Sequence, residues 1–288
     1  MITKERFKLA NDVEIPKLGL GTWFIDDGDA ARVVRDAVEI GYRHIDTARA
    51  YGNEAGVGEG VRTSGIERSE LFVTTKLAAE LKSYDEAAAG IDESLTNLGL
   101  DYADMMIIHS PKPWMKFHGD DHYFEGNREA WRALEDAYDA GKLRAIGLSN
   151  FERVDIDNIL GSCSVKPMVN QILVHISSSP FELIEYSQQQ DMLVEAYSPI
   201  AHGQLFRNEQ VTAMAERYGV SVPQLSIRYV LQLGLLPLPK TSNPDHMRSN
   251  TEVDFEISGV DMDTLRNLEQ IQDYGEIGVM PVFGGDLS

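Results

Sequence analysis

Residues 18–28 read LGLGTWFIDDG, a short apolar run that breaks into a glycine-bearing turn. How that turn is read decides between two α/β folds. A doubly wound dinucleotide-binding sheet carries GxGxxG after its first strand, with glycines for the tight turn, the approach of the pyrophosphate and helix packing. Gly19 and Gly21 supply a GxG pair, and the third glycine is missing. The flanking sequence points to the other fold. Upstream, RFKLANDVEIPKLG holds two short extended pieces around Asn11 and Asp12 and reads as a β-hairpin. Downstream, strand-like and helix-like segments alternate. The strands are expected at 18–23, 42–48, 71–77, 103–109, 143–150, 167–173, 192–199 and 235–241. Ile91, Leu95 and Leu98 recur at helical spacing. A helix opening on Asn127 carries Trp131, Leu134 and Tyr138 and closes at Gly141. Ser221-Val-Pro-Gln224 is a capping box, and Gly234 ends its helix. Eight short strands, apolar throughout as when both faces are buried, alternating with helices over about 240 residues, give a (β/α)8 barrel. Residues 1–288 are expected to form one domain.

Composition narrows the function classes. There are 26 Lys and Arg against 46 Asp and Glu, a net charge of −20, which repels nucleic acid and anionic membranes. An anionic cofactor therefore needs a local basic site. No apolar run approaches a membrane span, and MITKERFKLANDVEIP has no apolar signal region. The single cysteine, Cys163, excludes an intramolecular disulfide and fits a reducing cytoplasm. A cytoplasmic monomer acting on a small molecule is expected.

In such a barrel the C-terminal strand ends share one face, where chemistry is built. Those ends carry Thr22 and Trp23, Asp46 with Tyr51 just beyond, Lys76, His109, Ser149 and Asn150, Gln171, Tyr197 and Ser198, and Lys240 and Thr241. Singly, each has an ordinary structural reading. Together, a carboxylate, a phenol, an amine and an imidazole at successive strand ends form a chemical set. A phenol titrates near pH 10, and a neighbouring ammonium lowers that value. Lys76 can supply the charge, Asp46 can hold Lys76 protonated, and Tyr51 becomes a general acid and base. His109 can orient a carbonyl oxygen. The set has no hydride source, so a cofactor must supply one.

GLGTW (19–23), DTARAYGNE (46–54), LFVTTK (71–76), MIIHSP (106–111), GLSNF (147–151), NQI (170–172), AYSPIAHG (196–203) and LPKTSNPDHMRSN (238–250) run in order along nearly the whole chain. In these stretches the sequence resembles the aldo-keto reductase family, nearest to its prokaryotic diketogluconate-reductase-like subgroup. The resemblance implies the barrel, with long substrate loops at its C-terminal face. It also implies NAD(P)H-dependent reduction of aldehydes or ketones, with Asp46, Tyr51, Lys76 and His109 as the catalytic four. It implies that Ser149, Asn150 and Gln171 hold the nicotinamide carboxamide and that Tyr197 stacks on the ring. Thr22 joins these contacts, and the loop from Ser198 through Pro199 and Ile200 to Gly203 holds the pyrophosphate. Lys240, Thr241 and His246 lie at the ribose or its 2′-phosphate, and Asn250 near the adenine. Trp23, Trp114 and Ser110 are expected to contact the substrate.

The departures from the family pattern are informative. Ser110 follows the site histidine where many members have Trp, which predicts a more open pocket. His175-Ile176 stands where His-Pro is common and reads as local repacking. His246 stands where an arginine is common, six residues after Lys240, so NADPH is expected to be preferred with NADH also used. SPKPWMKFHGDDHYFEGN (110–127) is long enough for a lid. Its HGDDH segment reads as solvated loop, and no metal site is expected. DYGEIGVMPVFGGDLS (273–288) is expected to fold over the active site. Two other functions share the barrel. A low-turnover NADPH-binding regulatory protein would leave the four residues idle. An aldolase with Lys76 as its Schiff-base amine would need a depressed lysine pKa, against the effect of Asp46.

Overall fold

The computed structural model describes residues 1–287. A hairpin of β1 (Arg6–Lys8) and β2 (Glu14–Pro16) turns at Asp12, whose φ is 66°. Eight parallel strands follow: β3 (Leu20–Gly21), β4 (His44–Asp46), β5 (Phe72–Leu77), β6 (Ala103–Ile108), β7 (Leu143–Ser149), β8 (Val169–Leu173), β9 (Leu193–Tyr197) and β10 (Leu236–Leu238). Each pairs with its neighbour in chain order. The ring closes between β3 and β10, where Gly19 and Gly21 donate to the carbonyls of Pro237 and Pro239 at 3.2 and 3.1 Å. Gly21 and Lys240 complete the seam as parallel bridge partners. Every barrel strand read from the sequence is present, with shorter bounds.

The surrounding helices are α1 (Asp27–Ile40), α2 (Glu54–Arg62), α3 (Tyr84–Leu98), α4 (Phe124–Asp139), α5 (Arg153–Leu160), α6 (Phe181–Gln189), α7 (Glu209–Tyr218), α8 (Val222–Gln232), α9 (Pro244–Thr251) and α10 (Gly259–Arg266). Their ends follow local chemistry. Ser221 and Gln224 cap α8 reciprocally, and Gly99 ends α3 with φ 61°. The helix expected to open on Asn127 begins three residues earlier. Asn127 is instead buried, donating to Pro111 O and His122 O at 2.9 Å and accepting from Lys82 Nζ at 2.7 Å. It anchors both ends of the 110–127 loop, a tertiary role that overrides its capping preference.

The core divides around the strands. Trp131 and Leu134 of α4 pack with Ile91 of α3 against Met106 and Ile146. Burying each such side chain contributes about 1.5–3 kcal/mol. Leu9 and Ile15 of the hairpin join Phe72, Met105 and Leu236, so the hairpin covers the N-terminal end of the barrel. The other end is left for the loops.

Candidate active site

At that open end, Asp46 closes β4 and Lys76 lies on the adjacent β5. Lys76 Nζ donates to Asp46 Oδ1 at 2.6 Å and to Thr47 O at 2.9 Å. Lys76 is 1 % exposed and Asp46 4 %. A buried ion pair is tolerated when, as here, further hydrogen bonds accompany it. Just past β4 a 3₁₀ turn, Arg49–Tyr51, carries Tyr51 over this pair, with Lys76 Nζ 4.9 Å from the ring centre. His109, after β6, meets Tyr51 edge-on at 5.7 Å, and Trp114 stands 5.0 Å beyond His109.

Burial dominates the protonation of this group. It raises the Tyr51 phenol above its ordinary value; the opposing pull of Lys76 does not prevail. The expectation of a lowered phenol is thus corrected, since sequence shows the neighbouring ammonium but not the desolvation. For Lys76, burial alone would depress the ammonium, yet Asp46 and then Tyr51 outweigh it and hold the pKa above its ordinary value. Burial, and then Lys76, push His109 well below the usual imidazole range, leaving it neutral at neutral pH.

The four residues stand at one end of a cavity of about 690 Å³. Asp46, Tyr51 and His109 line it, while Lys76 lies behind them. Trp23 and Trp114 also line it, as does every residue assigned to the coenzyme, from Thr22 through Ser149, Gln171 and Tyr197 to Lys240, His246 and Asn250. Ser110 does not. Its hydroxyl accepts from Lys112 N at 3.2 Å in the protein interior, and Trp114 supplies an aromatic wall where the sequence reading expects an opening.

The residues expected at the carboxamide are already interlocked. Ser149 Oγ donates to Gln171 O at 2.9 Å, Asn150 Nδ2 to His109 O at 2.9 Å, and Tyr197 Oη to Asn150 Oδ1 at 2.7 Å. Further along, Ser198, Ala201 and His202 all have φ near 50° and Gly203 has 86°. Turns of this kind gather backbone N–H groups into anion-binding concavities. Lys240 adds a local cation, and its field, after burial, lowers the His202 pKa. These features fit a dinucleotide. Arg248, the arginine nearest to His246 in sequence, pairs with Asp245 at 3.1 Å and does not line the cavity.

The C-terminal segment forms one wall through Met280, Pro281, Val282 and Leu287. Phe283 stacks on Trp23 at 6.5 Å, and Tyr274 Oη meets buried His175 Nε2 at 2.9 Å. His175 therefore ties down this segment, a longer-range role than local repacking. The HGDDH histidines are engaged rather than merely solvated. His118 Nε2 reaches Gly285 O and His122 Nδ1 reaches Asp155 Oδ1, both at 2.7 Å. No group of three or more His, Cys, Asp or Glu side chains suited to a metal occurs among the described residues. No helix among them is long and apolar enough to cross a membrane.

Two supporting residues escape the sequence reading. Asn53 donates to Thr22 O and Ile25 O at 2.9 Å and accepts from Thr47 Oγ1, tying the Trp23 loop to the Tyr51 turn. Glu195 is fully buried beside Gln171. Its signal is a lone acid inside the apolar stretch MLVEAY (192–197).

Comparison with known proteins is consistent throughout. The chain is 40 % identical over 274 residues to a glyoxal reductase of Bacillus subtilis, covering 94 % of this chain and 95 % of that protein. It is 37 % identical over 278 residues to a 9,11-endoperoxide prostaglandin H2 reductase of Trypanosoma cruzi, covering 95 % and 93 %. An aldo-keto reductase from a Medee basin deep-sea metagenome library superposes with a TM-score of 0.85 at 35 % identity, over 91 % of this chain and 94 % of that one. A Bombyx mori aldo-keto reductase in complex with NADP does so at 0.84 and 30 %, over 95 % of each. The Aldo/keto reductase family model matches residues 17–270, and with the barrel and its strand-end residues this establishes that the chain belongs to the aldo/keto reductase family of oxidoreductases.

Proposed function

We propose that this protein reduces aldehydes or ketones to alcohols with a reduced nicotinamide coenzyme, Tyr51 giving the proton. The observation that carries this is the buried Lys76–Asp46 pair beneath a phenol and a neutral imidazole, all at one end of a long cavity. The coenzyme supplies the hydride. The chain's own residues handle the oxygen. His109 is neutral, so it can donate an N–H to the carbonyl oxygen without adding charge. Tyr51 is held protonated by burial, as a proton donor must be, and Lys76 stabilises the phenolate left behind. Trp23 and Trp114 border the substrate and exclude water.

The test is single-turnover oxidation of enzyme-bound NADPH or NADH on mixing with small aldehydes, 1,2-dicarbonyls, α-ketoesters and keto-sugars. The relation to a glyoxal reductase makes 1,2-dicarbonyls the first class to try. Coenzyme that binds but is oxidised by none of them would favour a binding protein.

Coenzyme choice gives a second expected result. Lys240 and His246 line the end of the cavity assigned to the 2′-phosphate. An arginine grips phosphate bidentately, and histidine does not. NADPH should be preferred with measurable use of NADH. His246→Arg should raise the ratio of kcat/KM values roughly tenfold, as one added charge-assisted hydrogen bond would. An unchanged ratio would show that residue 246 does not meet the phosphate.

A further inference from the structure

Below the Tyr51 phenol the Lys76–Asp46 pair continues into a polar chain whose far end, Glu195, has no part in the reaction just described. Asp46 Oδ1 is taken by Lys76, and Oδ2 accepts from Gln171 Nε2 at 2.9 Å. The same Nε2 donates to Glu195 Oε2 at 2.8 Å. Gln171 on β8 and Glu195 on β9 are direct register partners, so this contact is built into the sheet. Both are buried, Glu195 completely, and its Oε1 has no hydrogen-bond partner among the described residues. A carboxyl with an orphaned oxygen is costly inside a protein, and far more so when ionised.

A primary amide offers two N–H bonds from nitrogen and two acceptor sites on oxygen. Here the nitrogen faces a carboxyl oxygen on each side. Rotating the amide would set its oxygen against Asp46, so the orientation is fixed by charge. We propose that Glu195 is a positioning residue for carbonyl reduction: by sharing the Gln171 amide nitrogen with Asp46 it commits both N–H bonds to the barrel interior, leaving only the Gln171 carbonyl oxygen to hold the N–H of a nicotinamide carboxamide. This rests on the reading given under Proposed function. It also accounts for an acid inside an apolar strand. Leucine there would release one N–H of Gln171, and the amide, held by Asp46 alone, could tilt that N–H toward the cavity and move its carbonyl oxygen.

The protonation of Glu195 agrees with this role. Burial, and then Asp46, push it up to about 8, while the hydrogen bond from Gln171 and the charge of Lys76 pull the other way. The charged groups acting on it are Asp46 of β4 and Lys76 of β5, and β8 presents only the neutral Gln171. At neutral pH Glu195 is a neutral acid, so the group carries one carboxylate and one ammonium beneath the phenol. A proton is held in the fold and released on unfolding. Stability from this group is therefore complete below the ordinary carboxylate range and is lost as pH rises through about 8.

The experiment compares wild type, Glu195→Gln and Glu195→Leu. Measured are NADP⁺ affinity by fluorescence titration, kcat, the isotope effect with coenzyme dideuterated at nicotinamide C4, and Tm from pH 5 to 9. Glutamine keeps a neutral acceptor for Gln171, so E195Q should lose less than threefold in kcat, and its Tm should fall less with pH than that of wild type. E195L should lose tenfold or more in kcat with a larger isotope effect. Its NADP⁺ affinity should stay within about threefold, because most coenzyme contacts lie elsewhere, and its Tm should not fall below that of wild type at pH 7. Equal losses in E195Q and E195L, or kcat in E195L within twofold of wild type, would overturn the proposal. So would losses in E195L that track a lowered Tm. Wild type that oxidises no bound coenzyme with any carbonyl would overturn the underlying reading and this one with it.

Discussion

Tyr51→Phe should lower kcat by about 10²–10⁴-fold, the usual contribution of general acid catalysis. It should leave coenzyme affinity and Tm nearly unchanged. The reasoning is local. Phenylalanine keeps the ring that meets His109 at 5.7 Å and covers Lys76, and deletes only the hydroxyl. No other side chain stands ready to replace it. His109 is neutral, and Lys76, which keeps its hydrogen bonds to Asp46 and Thr47 when the phenol hydroxyl is gone, lies behind the cavity wall. Steady-state kinetics, coenzyme titration and thermal melting on one preparation make the check. A loss well under a hundredfold would mean that the proton comes from another group or from water.

Lys76→Met should be comparably damaging to kcat, and it should also destabilise the fold. Removing one partner of a buried ion pair leaves the other charge uncompensated, at a cost of about 3–5 kcal/mol. The pair is buried on both sides, so solvent cannot replace the lysine. Adding Asp46→Asn should recover most of that stability without recovering activity, which separates the two roles of Lys76. The pH dependence has a definite sign. Lys76 lowers the Tyr51 pKa against burial, so removing it lets the phenol rise further. The limb of alcohol oxidation that rises with pH as Tyr51, the base in that direction, loses its proton should move to higher pH. Asp46 acts on Tyr51 in the opposite sense and more weakly, so the double variant should keep the direction of the shift. An unmoved limb in both variants would show that Lys76 and Tyr51 are not coupled.

The parts of this molecule legible from sequence are those written in local pattern. Strands apolar on both faces, a capping box at Ser221 and chemistry-bearing residues at strand ends are short-range signals. The barrel frame converts them into positions, and the residues that the family resemblance assigns to the coenzyme, spread from Thr22 to Asn250, line one cavity. What escaped depends on depth and on partners far along the chain. The rise of the Tyr51 pKa is a desolvation effect, and no residue list contains desolvation. Asn127 reads as a helix cap because capping is what asparagine does locally, whereas the fold commits it to Pro111, His122 and Lys82. Ser110 suggests a missing aromatic wall in the sequence, whereas Trp114 provides that wall from four residues away. Glu195 faces Asp46 only because β9 comes round to β4 through a barrel interior.

The short seam between β3 and β10 has a consequence for motion. Gly19 and Gly21 give two hydrogen bonds across it and Gly21 bridges Lys240, whereas β5 and β6 pair at four register positions, so the ring is joined there more lightly. Residues assigned to the coenzyme stand on both lips, with Thr22 just past β3 and Lys240 and Thr241 just past β10. A dinucleotide spanning them would act as a clasp on a split hoop. Ligand binding and ring closure would then share one free energy, and breathing at the seam would be most frequent in the empty protein and damped in the loaded one.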